Sequence, residues 1–391
     1  MRNLILGTMT LILSLVAGSV LAGQQNNLVR LGAYLYKDKS LSLNQNQSCM
    51  TCHHPSAGFA DPDNRRNPVD FPVSDGSDPN LFGGRNAPGS AYAGFSPIFG
   101  WDDSVGGYVG GMFWDGRATG TTLGDPLAEQ ALGPFLNPVE MAMTKPAVVA
   151  AVSVSNYADL FIRVFPETDF TDVERTYDNI GFAIAAFERS KFVTRFTSKF
   201  DRFWRACRQQ GIEVSGIDTS TDLTLLPADI LTDTQMQGLA LFNDANKGNC
   251  AACHATTDYI DAEGVVYPPL FTDFSYDNLG IPINWRVYEL TQGTPPDLGL
   301  GARVDINEPA EYGKFKVPTL RNVAKSAPYG HNGYFPTLKE IVNFYNTRDV
   351  AGWEPPEVEE NVNRTELGNL GLTRLEEWKL VVFLRALTDQ P

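Results

Sequence analysis

Hydrophobic and polar positions along this chain repeat with the spacing of short helices more than of strands. The first run is different. Met1-Arg2-Asn3 precede an apolar stretch from Leu4 to Leu21 that closes on Val20-Leu21-Ala22-Gly23. A short basic head, an apolar centre and a small-residue end form the pattern of a cleaved export signal. Thr8, Thr10, Ser14, Gly18 and Ser19 dilute the run relative to a membrane anchor, so residues 1–22 are read as a signal peptide and the mature protein is expected in the periplasm. No stable membrane span is expected beyond it. Farther on, Val148 to Phe165 and Val173 to Cys207 carry helical periodicity. Leu338, Ile341, Val342 and Tyr345 recur at helical spacing and place Tyr345 on the buried face of a helix capped by Thr337-x-x-Glu340. Thr232-x-x-Gln235 and Thr373-x-x-Glu376 cap two more, the last running to about Leu387. The stretches 60–145 and 255–335 are rich in loop residues, with short hairpins expected only within 255–320. The expected class is mainly α, with long ordered loops.

The 391 residues carry 31 Lys plus Arg against 46 Asp plus Glu, a formal charge of −15. Phosphate contacts need a basic face, so nucleic-acid binding is excluded. With 43% hydrophobic and 20% charged residues the composition is globular, and the length suits about two domains. An internal repeat supports that division. Leu31-Gly32-Ala33-Tyr34-Leu35-Tyr36-Lys37-Asp38 matches Gln237-Gly238-Leu239-Ala240-Leu241-Phe242-Asn243-Asp244, and each runs through a polar loop into a cysteine pair.

Those pairs carry the chemistry. Cys49-Met50-Thr51-Cys52-His53 and Cys250-Ala251-Ala252-Cys253-His254 are both C-x-x-C-H, the pattern for covalent c-type haem, in which two thioethers fix the porphyrin and the His binds iron. A four-cysteine zinc site or two redox pairs would need no His after the second Cys. Two covalently bound haems c are expected, in two cytochrome c-like lobes, 23–225 and 226–391. Cys207, beside Phe203 and Trp204, reads as a packed hydrophobe.

The sixth iron ligand separates electron transfer from chemistry. For the first haem, His54 directly follows His53 and cannot reach the opposite face, and His331 belongs to the other lobe. Met112, Met141 and Met143 could serve, but the favoured reading is an open iron. For the second haem no Met follows His254, which leaves His331 or an oxygen ligand. Tyr345 is either a core tyrosine with a satisfied hydroxyl or that ligand, since ferric iron stabilises phenolate.

These residues resemble the bacterial di-haem cytochrome c peroxidase and MauG family over nearly the whole mature chain. The likeness includes Gly84-Arg85-Asn86-Ala87-Pro88, Phe113-Trp114-Asp115-Gly116-Arg117, Glu129-Gln130-Ala131, Asn137-Pro138-Val139-Glu140-Met141, Ala185-Ala186-Phe187-Glu188-Arg189, Val317-Pro318-Thr319-Leu320-Arg321-Asn322-Val323 and Ala327-Pro328-Tyr329-Gly330-His331-Asn332-Gly333. The resemblance implies a haem peroxidase that takes hydrogen peroxide at the open first haem. It makes Tyr345, fourteen residues after His331, the distal ligand of the second haem, where ordinary peroxidases have Met. It also implies that Gln130 and Glu140 lie over the open iron with Pro134 nearby, that Trp114 relays electrons between the haems, and that His331 is hydrogen-bonded near a propionate. Asn86 by side chain, with Ser326 and Pro328 by carbonyl, would hold calcium between the lobes.

Two departures stand out. About six extra residues fall between Trp114 and Gln130, within 119–126. Where MauG has a surface Trp before its second motif, this chain has Gly248-Asn249, which leaves Trp204, Trp285, Trp353 or Trp378 as an exit. The insertion and the run from Gln130 to Pro138 resemble the MbnH branch, so the expected partner is a protein whose side chain, a tryptophan, is oxidised. A peroxidase fed by a small cytochrome or cupredoxin is the alternative.

Overall fold

The computed structural model describes residues 23–390; the expected signal peptide lies outside them. The chain opens with α1 (23–37) and the short α2 (Cys49–Cys52) and α3 (Pro62–Arg66). A hairpin follows, β1 (Gly100–Asp102) against β2 (Gly107–Val109). Next come α4 (Pro126–Leu136), α5 (Lys145–Ser153), α6 (Ala158–Val164), α7 (Val173–Glu188), α8 (Lys199–Gln209) and α9 (Asp233–Asn243). The remainder holds the pair β3 (Tyr259–Ile260) and β4 (Val266–Tyr267), then β5 (Tyr276–Asp277), α10 (Trp285–Thr291), β6 (Phe315–Lys316) against β5, α11 (Leu338–Thr347) and α12 (Arg374–Arg385). No single helix among the described residues is long and apolar enough to cross a membrane.

The capping signals place the helix starts as the sequence predicts. Thr232 and Thr373 form reciprocal capping boxes with Gln235 and Glu376, and the Thr337 side chain accepts from the Glu340 amide. Each satisfies backbone donors that an uncapped first turn leaves unpaired. The longer periodic stretches are broken. Val148 to Phe165 splits at 154–157, where a Ser-Asn-Tyr turn separates α5 from α6, and Val173 to Cys207 splits between α7 and the Ser198 cap of α8. A correction applies to strands: β1–β2 lies at 100–109, inside a stretch expected to hold only loop and short helices. Its turn depends on Asp102, which accepts the backbone and side-chain donors of Ser104, and on Gly106 in the left-handed region.

Two large hydrophobic clusters form most of the core, beside a small one of Leu127, Ala128 and Ala185. The first gathers residues from Leu31 to Phe196 with Leu270, and the second gathers residues from Phe200 to Leu387. Each of the two holds one copy of the repeat, while Phe200, Phe203, Trp204 and Cys207, from the segment expected in the first lobe, pack in the second. In the first cluster α1 crosses α7 at Gly32, where an added Cβ would fall 1.9 Å from the Ala183 carbonyl oxygen. In the second α9 crosses α12 at Gly238, where it would fall 2.3 Å from the Lys379 carbonyl oxygen. Only glycine permits either crossing, because the backbones themselves are in contact. Cys207 is fully buried in the second cluster, as a small hydrophobe.

Candidate active site

Both C-x-x-C-H pentapeptides fold as a short helical turn, and both histidines are held the same way. His53 Nδ1 bonds the Phe59 carbonyl at 3.1 Å, and His254 Nδ1 bonds the Phe271 carbonyl at 2.9 Å. Phe59 and Phe271 each adopt a left-handed backbone conformation, which turns the carbonyl back onto the ring. Burial pushes both imidazoles below their ordinary pKa, so both are neutral at pH 7. A proton fixed on Nδ1 leaves Nε2 as the lone-pair donor, the state an iron ligand requires. The five cysteines are free, with no disulfide among them. The two motif pairs sit in separate clusters, so a four-cysteine metal site does not form.

The second motif opens into one cavity. Cys250, Cys253 and His254 line it with Tyr345, and its walls include Phe242, Leu338, Ile341, Val342, Leu380 and Leu384. The buried tyrosines Tyr36, Tyr177 and Tyr276 have partners: they donate to the carbonyls of His53, Leu132 and Gly110. The Tyr345 hydroxyl has no hydrogen-bond partner among the described residues. Burial, with the neighbouring Cys253 and Cys250, pushes its phenol well above the ordinary range. An anion there needs a facing cation, and ferric iron is one.

His331 lines the same cavity but is already engaged. Its Nε2 lies 3.2 Å from a Glu357 carboxylate oxygen, and its ring stacks on Phe315 at 3.6 Å between centroids. Glu357 in turn accepts from Tyr288 and from the Asp297 amide. Asp277 and Glu366 approach Cys253 closely enough to suggest a cation site, but Cys253 belongs to the haem-attachment pair.

Around the first motif the chain folds an acid inward. On α4, Gln130 and Pro134 lie one turn apart on one face, and the Pro134 carbonyl accepts the Met141 amide at 3.1 Å. That bond draws the 137–141 loop against the helix. Asn137 donates to Glu140 Oε1 at 2.6 Å. Burial raises the Glu140 carboxyl above its usual range, opposed by the Asn137 bond and the Arg117 charge. Its charge raises the Cys49 and Cys52 thiols, so the carboxyl lies in the neighbourhood of the motif. The 119–125 loop folds onto α4, where Glu129 accepts from the Gly120, Thr122 and Leu123 amides at 2.7, 2.7 and 2.9 Å. Met141 is buried and Met143 packs against it in the hydrophobic cluster.

Trp114 borders two cavities. It lines the second-motif cavity and also a smaller one reaching Pro88, Met112 and Phe113. Its Nε1 donates to the Asn86 carbonyl at 2.8 Å, and its own carbonyl accepts from the Lys316 amide at 2.8 Å. Next to it, Asp115 and Asp297 clamp the Arg85 guanidinium at 2.6 Å each, tying segments far apart in sequence. Against the upward push of burial, Arg85 holds Asp297 down at about 2. Asn86 Nδ2 donates to the Pro328 carbonyl at 3.1 Å, and Ser326 borders both cavities. Asn86 and Pro328, two of the residues expected to hold calcium, thus touch, and Ser326 lines the same cavity. A half-turn of the Asn86 amide would present its oxygen there instead of its nitrogen.

With this geometry in view, the relatives become informative. Residues 26–209 match the family model described as di-haem cytochrome c peroxidase. The methylamine utilization protein MauG of Paracoccus denitrificans is 37% identical over 380 residues, spanning 93% of this chain and 89% of that protein. The chain belongs to the di-haem cytochrome c peroxidase and MauG family. It is a haem oxidoreductase, and its cofactors are haems c. The diheme peroxidase BthA of Burkholderia thailandensis superposes with a TM-score of 0.73 at 30% identity, covering 93% of this chain and 86% of that one. A MauG-like protein associated with microbial copper homeostasis gives 0.65 at 27%, covering 93% and 90%.

The donor set of this di-haem family member fits its cofactors: two thiols and a neutral imidazole at each site, apolar walls, and an unpartnered phenol facing one of them. Sequence reasoning missed Glu357, which holds His331, and Lys316, a buried ammonium that donates to Ser96 Oγ and to the Gly111 carbonyl. Burial pulls Lys316 down to about 7. The signal was a lone Lys inside the apolar run Phe315 to Leu320.

Proposed function

We propose that this is a periplasmic, exported enzyme with two covalently attached haems c that reacts with hydrogen peroxide at an open first haem and oxidises a side chain, a tryptophan, of a partner protein. Haem iron, when bound, supplies peroxide binding and one-electron oxidation. His53 and His254 would be its proximal ligands, with Cys49, Cys52, Cys250 and Cys253 anchoring the porphyrins. Cleavage of peroxide moves a proton from one oxygen to the other, and Glu140, oriented by Asn137, would carry it. Gln130 and Pro134, one turn apart on α4, would shape the same face. Trp114 would pass electrons between the two sites. Asn86, Ser326 and Pro328 would hold calcium, an oxygen-seeking cation.

The observation that carries this reading is the Tyr345 hydroxyl, which lines the cavity of the second motif and has no hydrogen-bond partner among the described residues. An anionic oxygen ligand stabilises the oxidised state of an iron, which suits storage of oxidising equivalents more than simple electron delivery. The acidic chain and the likeness to a named peroxidase favour a second reading, peroxide removal with electrons from a small cytochrome or cupredoxin. Adding peroxide to the fully oxidised protein, without prior reduction, tests the first. A change in the haem absorption spectrum is expected; a protein that responds only after partial reduction is a peroxidase of the second kind.

A further inference from the structure

Three exposed tryptophans could pass charge to a partner: Trp101, Trp285 and Trp378. Trp101, on the hairpin, starts an unbroken run of ring contacts into the protein. Its indole meets Tyr108 edge-on at 5.2 Å, Tyr108 stacks on Phe99 at 5.1 Å and 5°, and Phe99 meets Tyr276 at 5.9 Å. Tyr276 ends beside Trp114. It pairs in register with Lys316, whose amide donates to the Trp114 carbonyl. The hydroxyl of Tyr276 and the ring of Phe99 press on Gly116, two residues past Trp114, so closely that an added Cβ would fall 2.2 Å and 3.0 Å from them.

The outer end has the chemistry of an electron donor. Trp101 is 55% exposed, and its Nε1 donates to Asp103 Oδ1 at 2.9 Å. That carboxylate can accept the indole proton when an electron leaves. Arg303 lies 4.2 Å over the face of Phe99. Its positive charge disfavours a hole resting on that ring, so Phe99 bridges without being oxidised. Trp285 touches Tyr288 at 6.4 Å, but its route inward then crosses the Glu357 carboxylate to reach His331.

We infer that Trp101 is the surface exit of an aromatic relay through Tyr108, Phe99 and Tyr276 to Trp114. The inference rests on the peroxide-driven reading above. In each turn one electron moves from the Trp101 indole to oxidised Trp114, which returns to its reduced form. The Trp101 Nε1 proton passes to Asp103. An electron from an external reductant, with the proton returned from Asp103, restores Trp101. Hydrogen peroxide is the oxidant and takes up two electrons per molecule, so the relay turns twice. The rim is acidic, with Asp102 and Asp103 on the hairpin and Asp305 and Glu308 near Tyr108, which fits a reductant protein with a basic face.

The test uses the mature di-haem protein, fully oxidised and treated with hydrogen peroxide in the presence of a nitroso spin trap, followed by peptide mass spectrometry. An adduct on Trp101 is expected, at least tenfold weaker in Trp114→Phe, with Trp285 and Trp378 unlabelled. An adduct on Trp285, Trp353 or Trp378 and none on Trp101, while the haem spectrum responds to peroxide, overturns the relay alone. A spectrum that does not respond overturns the proposed function, and the relay with it for want of an oxidant. A second measurement follows the return of the peroxide-treated spectrum on adding a reduced basic cytochrome c. Trp101→Phe should slow it at least tenfold and Trp285→Phe should leave it unchanged; equal rates in Trp101→Phe and the unaltered protein overturn the relay.

Discussion

Asn137 donates a 2.6 Å hydrogen bond from its side-chain amide to the Glu140 carboxylate, three residues along the same turn. The bond holds one carboxylate oxygen and leaves the other to act. General acid–base assistance contributes about 10²–10⁴ in rate, so Glu140→Gln should slow the peroxide-induced spectral change by about two orders of magnitude in stopped-flow absorption. An unaltered rate removes Glu140 from the reaction. Because burial raises this carboxyl, its ionised form is lost as pH falls through a pKa above the usual carboxylate range. The acid limb of the rate profile should therefore lie higher than for an exposed Glu.

Tyr345→Phe keeps the ring and removes the oxygen. The protein should still carry two haems by intact mass, with the reduction potential of the second raised by on the order of 0.1 V, the scale on which axial ligands act. Identical potentials and identical magnetic resonance spectra in the two proteins exclude the phenol from the iron.

Each motif should anchor its own haem independently. Replacing both Cys49 and Cys52 by Ala is expected to lower the covalent haem content from two to one per chain, measured as the pyridine haemochrome. A full complement in that variant contradicts the attachment assigned to this pair.

Glu188 is buried with one carboxylate oxygen unpartnered, and burial pushes its carboxyl up from 4.5 to about 8. Between those values the folded protein holds a proton that the unfolded chain has released, so stability falls as pH rises from about 4.5 to about 8 and the penalty is complete above that. Glu188→Gln should abolish that slope and stabilise the protein above pH 8 by on the order of 2–4 kcal/mol. Thermal melts of both proteins across this range check it, and parallel curves contradict it.

Calcium at Asn86, Ser326 and Pro328 would bind only the folded state. Raising calcium to a hundred times its dissociation constant then adds about 2.7 kcal/mol of stability. Melting temperature should fall with a chelator and recover with calcium, and Asn86→Ala should remove the difference. A melting temperature indifferent to chelation in the unaltered protein excludes the ion.

Local signals were legible in the sequence because they act through neighbours in the chain. The capping threonines, the C-x-x-C-H pentapeptides and the paired segments at Gly32 and Gly238 each encode their geometry within a few residues. Helical spacing also grouped Tyr345 with Leu338, Ile341 and Val342, the face that lines the second-motif cavity. The β1–β2 hairpin was hidden because its strands are only three residues long, too short to show alternation.

Residue spacing and type alone determined the two attachment motifs, the helical class and the absence of a Met after His254. Tertiary structure decided what no spacing records. Glu357 engages His331, Trp114 stands between two cavities, and Trp101, not named among the candidate exits, connects by its ring contacts to the interior. The physical reason is range. A cap or a covalent motif is satisfied within one turn of chain, whereas desolvation, charge pairing and ring contact depend on which distant segments packing brings together.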